Sequence, residues 1–297
     1  MSFVRSVRAF LAFPWIETHF CDVTRRVGGA EFPMHRLVVT ALLLAAMLPA
    51  RAEQVLVTFG SEYFSWREYD GGVRWPEEAG LRHFVGLKTD SAPAGNWHYG
   101  LHSRIYPRRV AHDGAPLRGA PTGSNDSGWS AELDFTRAFP AALGSDDEPV
   151  WGIKLGIGYD SRRRESVAAY SPYRGQAVYG YAEDYQVGYG RLGAVYSGGA
   201  GWEVQGGVKL PFYTGDSAGP PRAGYDSDPG LKPKPDYSLY AAVSYRLNGS
   251  WDLGGYYDSY RFRQSDSSPV TEDGSLYNIY QPRSQQDSIG FYLNYRF

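Results

Sequence analysis

The chain has 297 residues, 15% of which are aromatic, and its formal net charge at pH 7 is −2. This near-neutral balance gives no sign of a basic surface for nucleic acid. The low mean hydropathy excludes a bundle of membrane-spanning helices. It is compatible with membrane-spanning strands, in which only alternate residues are apolar.

The first recognisable pattern lies at residues 34–52. A short basic region precedes an uncharged apolar run at 37–48, and an Ala-x-Ala cleavage motif ends at Ala52. These are the three parts of a secretory signal peptide, and the apolar run is shorter than the roughly 20 residues that a spanning helix needs. We therefore predict cleavage near Ala52/Glu53. Residues 1–33 do not fit the pattern, and we interpret them as a non-native extension from a misassigned start.

The predicted mature chain, 53–297, is more acidic than the whole. Residues 1–52 hold six of the 30 basic and three of the 32 acidic residues, so 24 basic and 29 acidic residues remain, a net charge of −5. The single cysteine, Cys21, is removed with the extension. The mature protein is therefore predicted to have no disulfide and no cysteine-based metal site. We predict no metal, no cofactor and no nucleic-acid partner.

Ten segments of alternating apolar and polar or small residues follow, and each predicts an amphipathic strand. Their approximate spans are 54–69, 80–90, 96–106, 128–138, 150–160, 184–197, 202–212, 236–247, 251–262 and 286–297. Short connections alternate with long polar ones, although the connection at 139–149 is longer than a tight turn. This alternation is typical of an all-β, transmembrane, antiparallel up-and-down barrel with periplasmic turns and external loops. Eight strands are the alternative if the first two segments are not strands, and twelve strands are the alternative if residues 170–181 form a further hairpin.

A tryptophan begins every second strand from the third onward. These residues are Trp97, Trp151, Trp202 and Trp251, at intervals of 54, 51 and 49 residues. Amphipathic indole rings favour the headgroup level of a bilayer, so we predict that the four form a periplasmic aromatic girdle. A β-propeller also repeats at such intervals, but it needs about four strands per repeat and the sequence shows two.

The alternation assigns one face of each strand to the lumen, and most charges fall on that face. The predicted polar network of the lumen comprises His98, His102, Arg104, Glu132, Asp134, Lys154, Lys209, Arg246, Asp252, Asp258 and Arg296. A simple hairpin of the third and fourth strands would place Arg104 opposite Glu132 and His102 opposite Asp134. We favour a packed polar plug over a narrow pore lined by both signs, and over a catalytic His–Asp pair. The first and sixth strands do not divide cleanly into two faces, which indicates a bulge or a shifted register.

A basic cluster follows the fifth strand, beside the predicted outer rim. Arg162, Arg163 and Arg164 are consecutive. Guanidinium groups bind phosphates well, so contact with lipopolysaccharide is one interpretation of the cluster. An ordinary solvated run of charges is the other interpretation.

The last nine residues alternate without a break and end on an aromatic residue. Ile289, Phe291, Leu293, Tyr295 and Phe297 share one face of this strand. The strand resembles the closing strand of bacterial outer-membrane β-barrel proteins, which typically end on phenylalanine. The resemblance implies export to the outer membrane of a Gram-negative cell and recognition of Tyr295 and Phe297 by the barrel assembly machinery. It also implies outer-membrane lipid and lipopolysaccharide as partners.

The resemblance implies the function only coarsely. We favour a structural component of the outer membrane or a narrow, passive, porin-like pore with a charged lumen. The alternatives are a hydrolase that acts on lipid or peptide at the barrel rim, and a surface adhesin or ligand-binding barrel. A non-enzymatic role is favoured because no Asp-x-His of the omptin protease type occurs. His83 could face lipid, as the histidine of lipid A deacylases does, but the sequence assigns it no serine partner.

Overall fold

The computed structural model describes residues 52–74, 78–91, 96–117, 120–139, 150–166, 169–171, 176–178, 182–198, 201–218, 230–272 and 274–297. The predicted extension, 1–33, lies outside the described residues. So does the predicted signal peptide, apart from its last residue, Ala52.

Ten long strands build the fold, and we number them in chain order. They are β1 (Ala52–Asp70), β2 (Glu78–Ser91), β3 (Trp97–Leu117), β4 (Ala120–Phe139), β5 (Val150–Ser166), β6 (Ala182–Gly198), β7 (Trp202–Ala218), β8 (Ser238–Arg246), β9 (Trp251–Arg263) and β10 (Arg283–Arg296). Each was predicted from its alternating pattern. The main difference is that β3 and β4 extend through most of 107–127, which was predicted as a loop.

Short strands lie outside the ten. Val73–Arg74 pairs with β1, and Lys234–Pro235 pairs with β9. Ala169–Ser171 and Gln176–Val178 form a separate two-stranded sheet, as do Ser268–Glu272 and Ser275–Ile279. The tyrosine-rich segment at 170–181 therefore adds no strand to the barrel, and the number of barrel strands is ten.

The sheet closes on itself. Each long strand pairs antiparallel with the next, and β10 pairs with β1 from Leu56↔Arg296 to Tyr69↔Arg283. Closure satisfies the backbone of both terminal strands and leaves no free edge. β1 begins and β10 ends at the same end of the barrel, which we call the turn end. The opposite end, which carries the connections 167–181, 219–237 and 264–282, is called the loop end.

The two faces of the sheet differ in burial. The lumen face holds a buried aromatic cluster near the loop end, formed by Phe64, Trp66, Tyr185, Val187, Tyr189, Tyr260 and Phe262. The outer face carries large apolar side chains that are exposed, such as Phe59, Leu155, Leu239 and Phe291. No helix in the described part of the chain is long and apolar enough to cross a membrane.

The loop end is partly covered by its own connections. Tyr280 donates a hydrogen bond to Asp70 at 2.8 Å, and Gln281 donates one to Glu68 at 3.0 Å. Val270, in the same connection, is only 1% exposed. The hydrogen bond to Asp70 raises the pKa of the Tyr280 hydroxyl. These contacts fold the segment 264–282 back onto the end of β1.

Candidate functional site

A buried ion pair lies in the middle of the lumen. Arg82 donates from Nε to Glu62 at 2.5 Å and from Nη1 to Asp126 at 2.6 Å. The hydroxyl of Tyr256 donates to the second carboxylate oxygen of Glu62. Glu62 and Arg82 are each 1% exposed. Two charges so fully removed from water are stable only when they are paired and hydrogen-bonded, as here.

Side chains from opposite walls of the barrel meet nearer the loop end. Arg162 of β5 donates to Gln286 of β10 at 2.7 Å, although four strands intervene on either side. Trp66 of β1 and Tyr185 of β6, which are equally far apart around the barrel, have ring centroids 5.0 Å apart. These contacts cross the lumen and fill its width.

Glu132 forms a second ion pair of the lumen. Its carboxylate accepts hydrogen bonds from Nη1 of Arg191 at 2.7 Å and from the Tyr189 hydroxyl at 2.9 Å. Arg191 also lies over the ring of Tyr240, 3.5 Å from its centroid. The predicted partner of Glu132, Arg104, does not contact it.

The predicted hairpin register is correct only near the loop end. Val110 pairs with Asp126 as expected, but the register shifts by two between Tyr106 and Val110. As a result Arg104 lies opposite Ser130, and its guanidinium instead packs over the ring of Tyr256 at 4.4 Å. A β-bulge of this kind cannot be read from the alternation of two strands taken separately.

The other predicted lumen residues form smaller groups. Nζ of Lys154 and Nε2 of His102 lie 3.2 and 3.0 Å from the same oxygen of Asp134. His102 reaches this aspartate diagonally, since its direct cross-strand neighbour is Glu132. His98 lies half-buried on the same face of β3, nearer the turn end.

Two further groups complete the network. Lys209 donates to Asp258 at 2.6 Å, and its Nζ lies 3.4 Å from the centroid of the Tyr260 ring. At the turn end, Arg296 donates to Asp252 at 2.9 Å, while Nε of Arg246 lies 3.6 Å from that carboxylate. The lumen is thus lined by paired charges and aromatic rings. No cluster of His, Cys, Asp or Glu in the described part of the chain could hold a metal ion.

Aromatic pairs occupy the outer face at the turn end. Trp151, Trp202 and Trp251 each pack against a tyrosine of the neighbouring strand, at centroid distances of 4.7, 4.6 and 4.8 Å. Trp97 lies 5.7 Å from the guanidinium of Arg137. The four predicted tryptophans therefore share one end and one face of the barrel.

The C-terminal residue belongs to the same layer. The ring of Phe297 packs edge-on against Tyr295 at 5.0 Å, and its backbone N–H donates to Val55 at 3.2 Å. Phe297 is 69% exposed. The last residue is thus held by the sheet while its ring stays accessible.

The outer face above this layer is apolar. On β9, β10 and β1 it consists of four successive rows of side chains, read across the three strands from the turn end: Trp251, Tyr295 and Val57; Leu253, Leu293 and Phe59; Gly255, Phe291 and Ser61; Tyr257, Ile289 and Tyr63. Phe291 is 70% exposed. Such a band would be unstable in water, and a closed barrel is one of the two folds that span a bilayer. The chain is a bacterial outer-membrane β-barrel protein.

Comparisons with solved structures find other outer-membrane barrels. The outer membrane protease OmpT of Escherichia coli is 12% identical, with a TM-score of 0.46 over 83% of this chain and 97% of its own. The translocator domain of the autotransporter NalP from Neisseria meningitidis is 12% identical, with a TM-score of 0.42 over 89% and 98%. An outer membrane channel from Pseudomonas putida F1 is 4% identical, with a TM-score of 0.38 over 82% and 95%. No family model and no curated protein matches the sequence.

The arginine cluster 162–164 lies within β5, near its loop end, and is divided between the two faces of the sheet. Arg162 is 8% exposed and donates to Asp160 and Gln286 inside the barrel. Arg164 is half-buried and donates to Glu183 at 2.7 Å. Only Arg163 is exposed. Arg162 is thus not placed to contact lipopolysaccharide on the outer surface, because strand alternation turns it into the lumen.

Two polar features of the outer face were not predicted. The hydroxyl of Ser61 and Nδ1 of His83 lie 2.7 Å apart, on paired residues of β1 and β2. Towards the loop end, Asp287 accepts hydrogen bonds from Arg67 and Arg261. The sequence could not reveal these contacts, since each one joins residues of different strands whose register was unknown.

Proposed function

We propose that this protein is a closed, non-conducting barrel that serves as a structural component of the outer membrane. The observation that carries the proposal is the hydrogen bond of 2.7 Å between Arg162 and Gln286 on opposite walls of the lumen. The contact between Trp66 and Tyr185, the cross-strand neighbours of Gln286 and Arg162, supports it at the same level. These two contacts leave little width for a column of water.

The chemistry of the lumen also favours a plug over a pore. A diffusive path would have to separate buried pairs such as Glu62 with Arg82. Leaving one partner of such a pair uncompensated costs about 3–5 kcal/mol. Pairs of this kind stabilise a barrel, whereas a selective pore needs sites that ions enter and leave easily.

Conductance measurement tests the proposal. The purified protein, reconstituted into a planar lipid bilayer, should give no stepwise current under conditions in which a general porin gives clear steps. The absence of current should persist at high salt and at both polarities, because the block is steric as well as electrostatic. Regular unitary steps from the wild-type protein would refute a closed barrel.

We propose two supporting roles at the turn end. Trp97, Trp151, Trp202 and Trp251 form the periplasmic aromatic girdle, because amphipathic rings favour the headgroup layer. Tyr295 and Phe297 present the assembly signal to the barrel assembly machinery. The exposure of the Phe297 ring supports this second role, since a receptor needs access to it.

A hydrolase acting on membrane lipid is the second candidate function. It is favoured by one contact, the 2.7 Å approach of Ser61 Oγ to His83 Nδ1 on the outer face. A histidine within hydrogen-bond reach of a serine is the arrangement that activates a nucleophile. Among the described residues, however, no carboxylate contacts the ring of His83 to orient it.

Variants of the dyad test this candidate. Incubation with lipid A or phospholipid in mixed micelles should release fatty acid only if the pair is catalytic, and both Ser61→Ala and His83→Ala should then abolish the release. Thr58→Ala, a polar change on the lumen face of the same strand, is the control. Wild-type protein that releases no fatty acid would dismiss the hydrolase.

A further inference from the structure

Arginines replace the apolar rows of β9, β10 and β1 towards the loop end. Above the row of Tyr257, Ile289 and Tyr63 the register gives two more rows: Ser259, Asp287 and Ser65; Arg261, Gln285 and Arg67. Beyond them Arg283 pairs with Tyr69, and Arg263 follows Phe262, the last residue of β9 that pairs with β10. We call Arg67, Arg261, Arg263 and Arg283 the arginine surface. They occupy adjacent strands and point away from the lumen.

The lower part of the arginine surface is fixed by one carboxylate. Arg261 donates from Nη2 to Asp287 at 2.6 Å and from Nη1 to the carbonyl oxygen of Gln286 at 2.8 Å. Arg67 donates to the other oxygen of Asp287 at 3.2 Å, and the Tyr257 hydroxyl adds a hydrogen bond at 2.6 Å. Asp287 therefore holds both guanidinium groups above the last apolar row.

The upper part has no such carboxylate. Arg263 and Arg283 are exposed at the loop ends of the paired strands β9 and β10, and neither forms an ion pair within the described part of the chain. Arg263 donates to the carbonyl oxygen of Pro235, and the guanidinium of Arg283 lies 5.8 Å from the ring of Tyr69. Two positively charged groups thus stand on the outer face directly above the pair that Asp287 compensates.

The level of these two arginines corresponds to lipid headgroups. Arg263 follows Trp251 by 12 residues on β9, about 41 Å of strand at about 3.4 Å per residue. Strands of such barrels are usually tilted by 35–45°, so this length corresponds to a height of about 29–33 Å along the membrane normal. The apolar band of such barrels is about 25 Å tall, so Arg263 lies beyond its edge. The arginine surface therefore lies just above the hydrocarbon, on the side where barrels of this class carry their long loops.

The opposite flank of the barrel is built differently at the same level. Arg163 of β5 also follows its strand's tryptophan by 12 residues, and it is exposed on the outer face. It lies 3.0 Å from Glu165 and 3.6 Å from Asp184. One arginine there faces two carboxylates, so the outer face of β5 carries no excess of positive charge at this level.

We propose that the arginine surface binds the phosphate groups of a phosphorylated glycolipid of the outer leaflet, with Arg263 and Arg283 as its direct ligands. Guanidinium groups bind phosphate through paired hydrogen bonds. The exposed apolar rows beneath, ending at Tyr257, Ile289 and Tyr63, provide a surface for the acyl chains of the same molecule. A soluble anion would use the arginines alone, so this combination points to a lipid.

Lipid titration of the purified full barrel in detergent tests the proposal. Native mass spectrometry would compare bisphosphorylated lipid A with the same lipid after removal of its phosphates. The wild-type protein should bind the phosphorylated form at least about tenfold more tightly. The double variant Arg263→Gln/Arg283→Gln should lose about 10–30-fold in affinity for it, since each basic group near a charged membrane surface contributes about 1 kcal/mol.

Matched controls separate this site from general charge. Arg137→Gln/Arg163→Gln removes the same charge from the outer face elsewhere and should leave the affinity unchanged. Both double variants should unfold at the wild-type temperature without lipid, because the substituted side chains are exposed. Arg67→Gln, measured in addition, should weaken binding less, since Asp287 keeps Arg261 in place.

Several outcomes would overturn the proposal. The first is equal binding of phosphorylated and dephosphorylated lipid, and the second is an equal loss of affinity in the two double variants. The third is displacement of the lipid by millimolar inorganic phosphate, which would indicate a site for free anions. Loss of binding in the presence of EDTA would mean that a divalent cation holds the lipid, and not direct contact with the arginines. None of these outcomes depends on whether the lumen conducts.

Discussion

The lumen face and the outer face are built by the same ten strands, yet they carry charge in different ways. In the lumen, charged residues lie along the length of the barrel and most of those described above are paired, as Glu62 is with Arg82 and Lys209 is with Asp258. On the outer face of β9, β10 and β1, the four rows nearest the turn end contain no charged residue. Charge appears there only with Asp287 and the arginine surface.

This difference shows that the surroundings of a side chain, rather than its distance from water, decide whether a charge is tolerated. A charged group inside the barrel loses its hydration but finds an opposite charge on a neighbouring or facing strand. A charged group on the outer face at the same level would meet only hydrocarbon, which offers no hydrogen bond. Substitutions on each face therefore test this difference directly.

Removal of a buried charge should have the largest effect. Glu62→Ala leaves Arg82 with Asp126 as its one carboxylate partner among the described residues, and deprives the Tyr256 hydroxyl of its acceptor. We expect the free energy of unfolding to fall by about 3–5 kcal/mol, the usual cost of breaking a buried pair. Reversible urea unfolding in detergent micelles, followed by tryptophan fluorescence, would measure it.

The control for this prediction is an ion pair on the outside. Asp184 lies 3.6 Å from Arg163, and both side chains are about half exposed. Asp184→Ala should change the free energy of unfolding by less than about 1 kcal/mol, because water screens and solvates exposed pairs. Similar losses for the two variants would show that the lumen is hydrated, and would weaken the case for a closed barrel.

Placing a charge on the outer face should have the next largest effect. Val243 lies on the outer face of β8 in the row of Gly255 and Phe291, near the middle of the apolar band. Val243→Arg should destabilise the barrel by about 2–4 kcal/mol, as basic side chains do at the bilayer midplane. Unfolding from lipid vesicles is the appropriate measurement, since micelles adapt to a charged side chain more easily.

The neighbouring residue provides the matched control. Ser244 points into the lumen and lies opposite Glu203 in the register of β7 and β8. Ser244→Arg should cost clearly less than Val243→Arg, because the new guanidinium group can pair across the strands. Ser238, although also on the lumen face, is unsuitable, since it is fully buried and accepts a hydrogen bond from the backbone of Arg261. Equal losses at 243 and 244 would mean that the two faces are misassigned.

The comparison also explains which parts of the fold the sequence predicts. Strand number and the positions of the tryptophans follow from local alternation, which a barrel imposes on every strand. The faces of β1 and β6 cannot be assigned from this alternation, because Phe64 and Val187 are apolar residues that point into the lumen. Apolar side chains fit either lipid or an aromatic lumen core, so alternation alone cannot assign them.

The central ion pair was missed for a different reason, and a signal for it existed. Glu62 lies in the middle of the first predicted strand, where a charge can only face the lumen, and Arg82 lies near the start of the second. Because successive residues of a strand alternate between the two faces, the position of such a charge fixes the faces of β1, although the apolar residues of β1 do not. The contact of Arg162 with Gln286 has no such signal, because it depends on the stagger of all the strands between β5 and β10.

The smallest effect is expected at the turn end, in the proposed aromatic girdle. Trp202 packs against Tyr245 with centroids 4.6 Å apart, and nearly half of its surface is exposed. Trp202→Ala should cost about 0.5–1.5 kcal/mol, the typical value of an aromatic pair, and Trp202→Phe should cost less. Unfolding from vesicles would measure both variants against Trp66→Ala, which removes an aromatic ring from the lumen core and should cost about 3–5 kcal/mol. A loss at Trp202 as large as that at Trp66 would mean that this tryptophan packs against a protein partner, since lipid headgroups alone do not hold an indole ring so strongly.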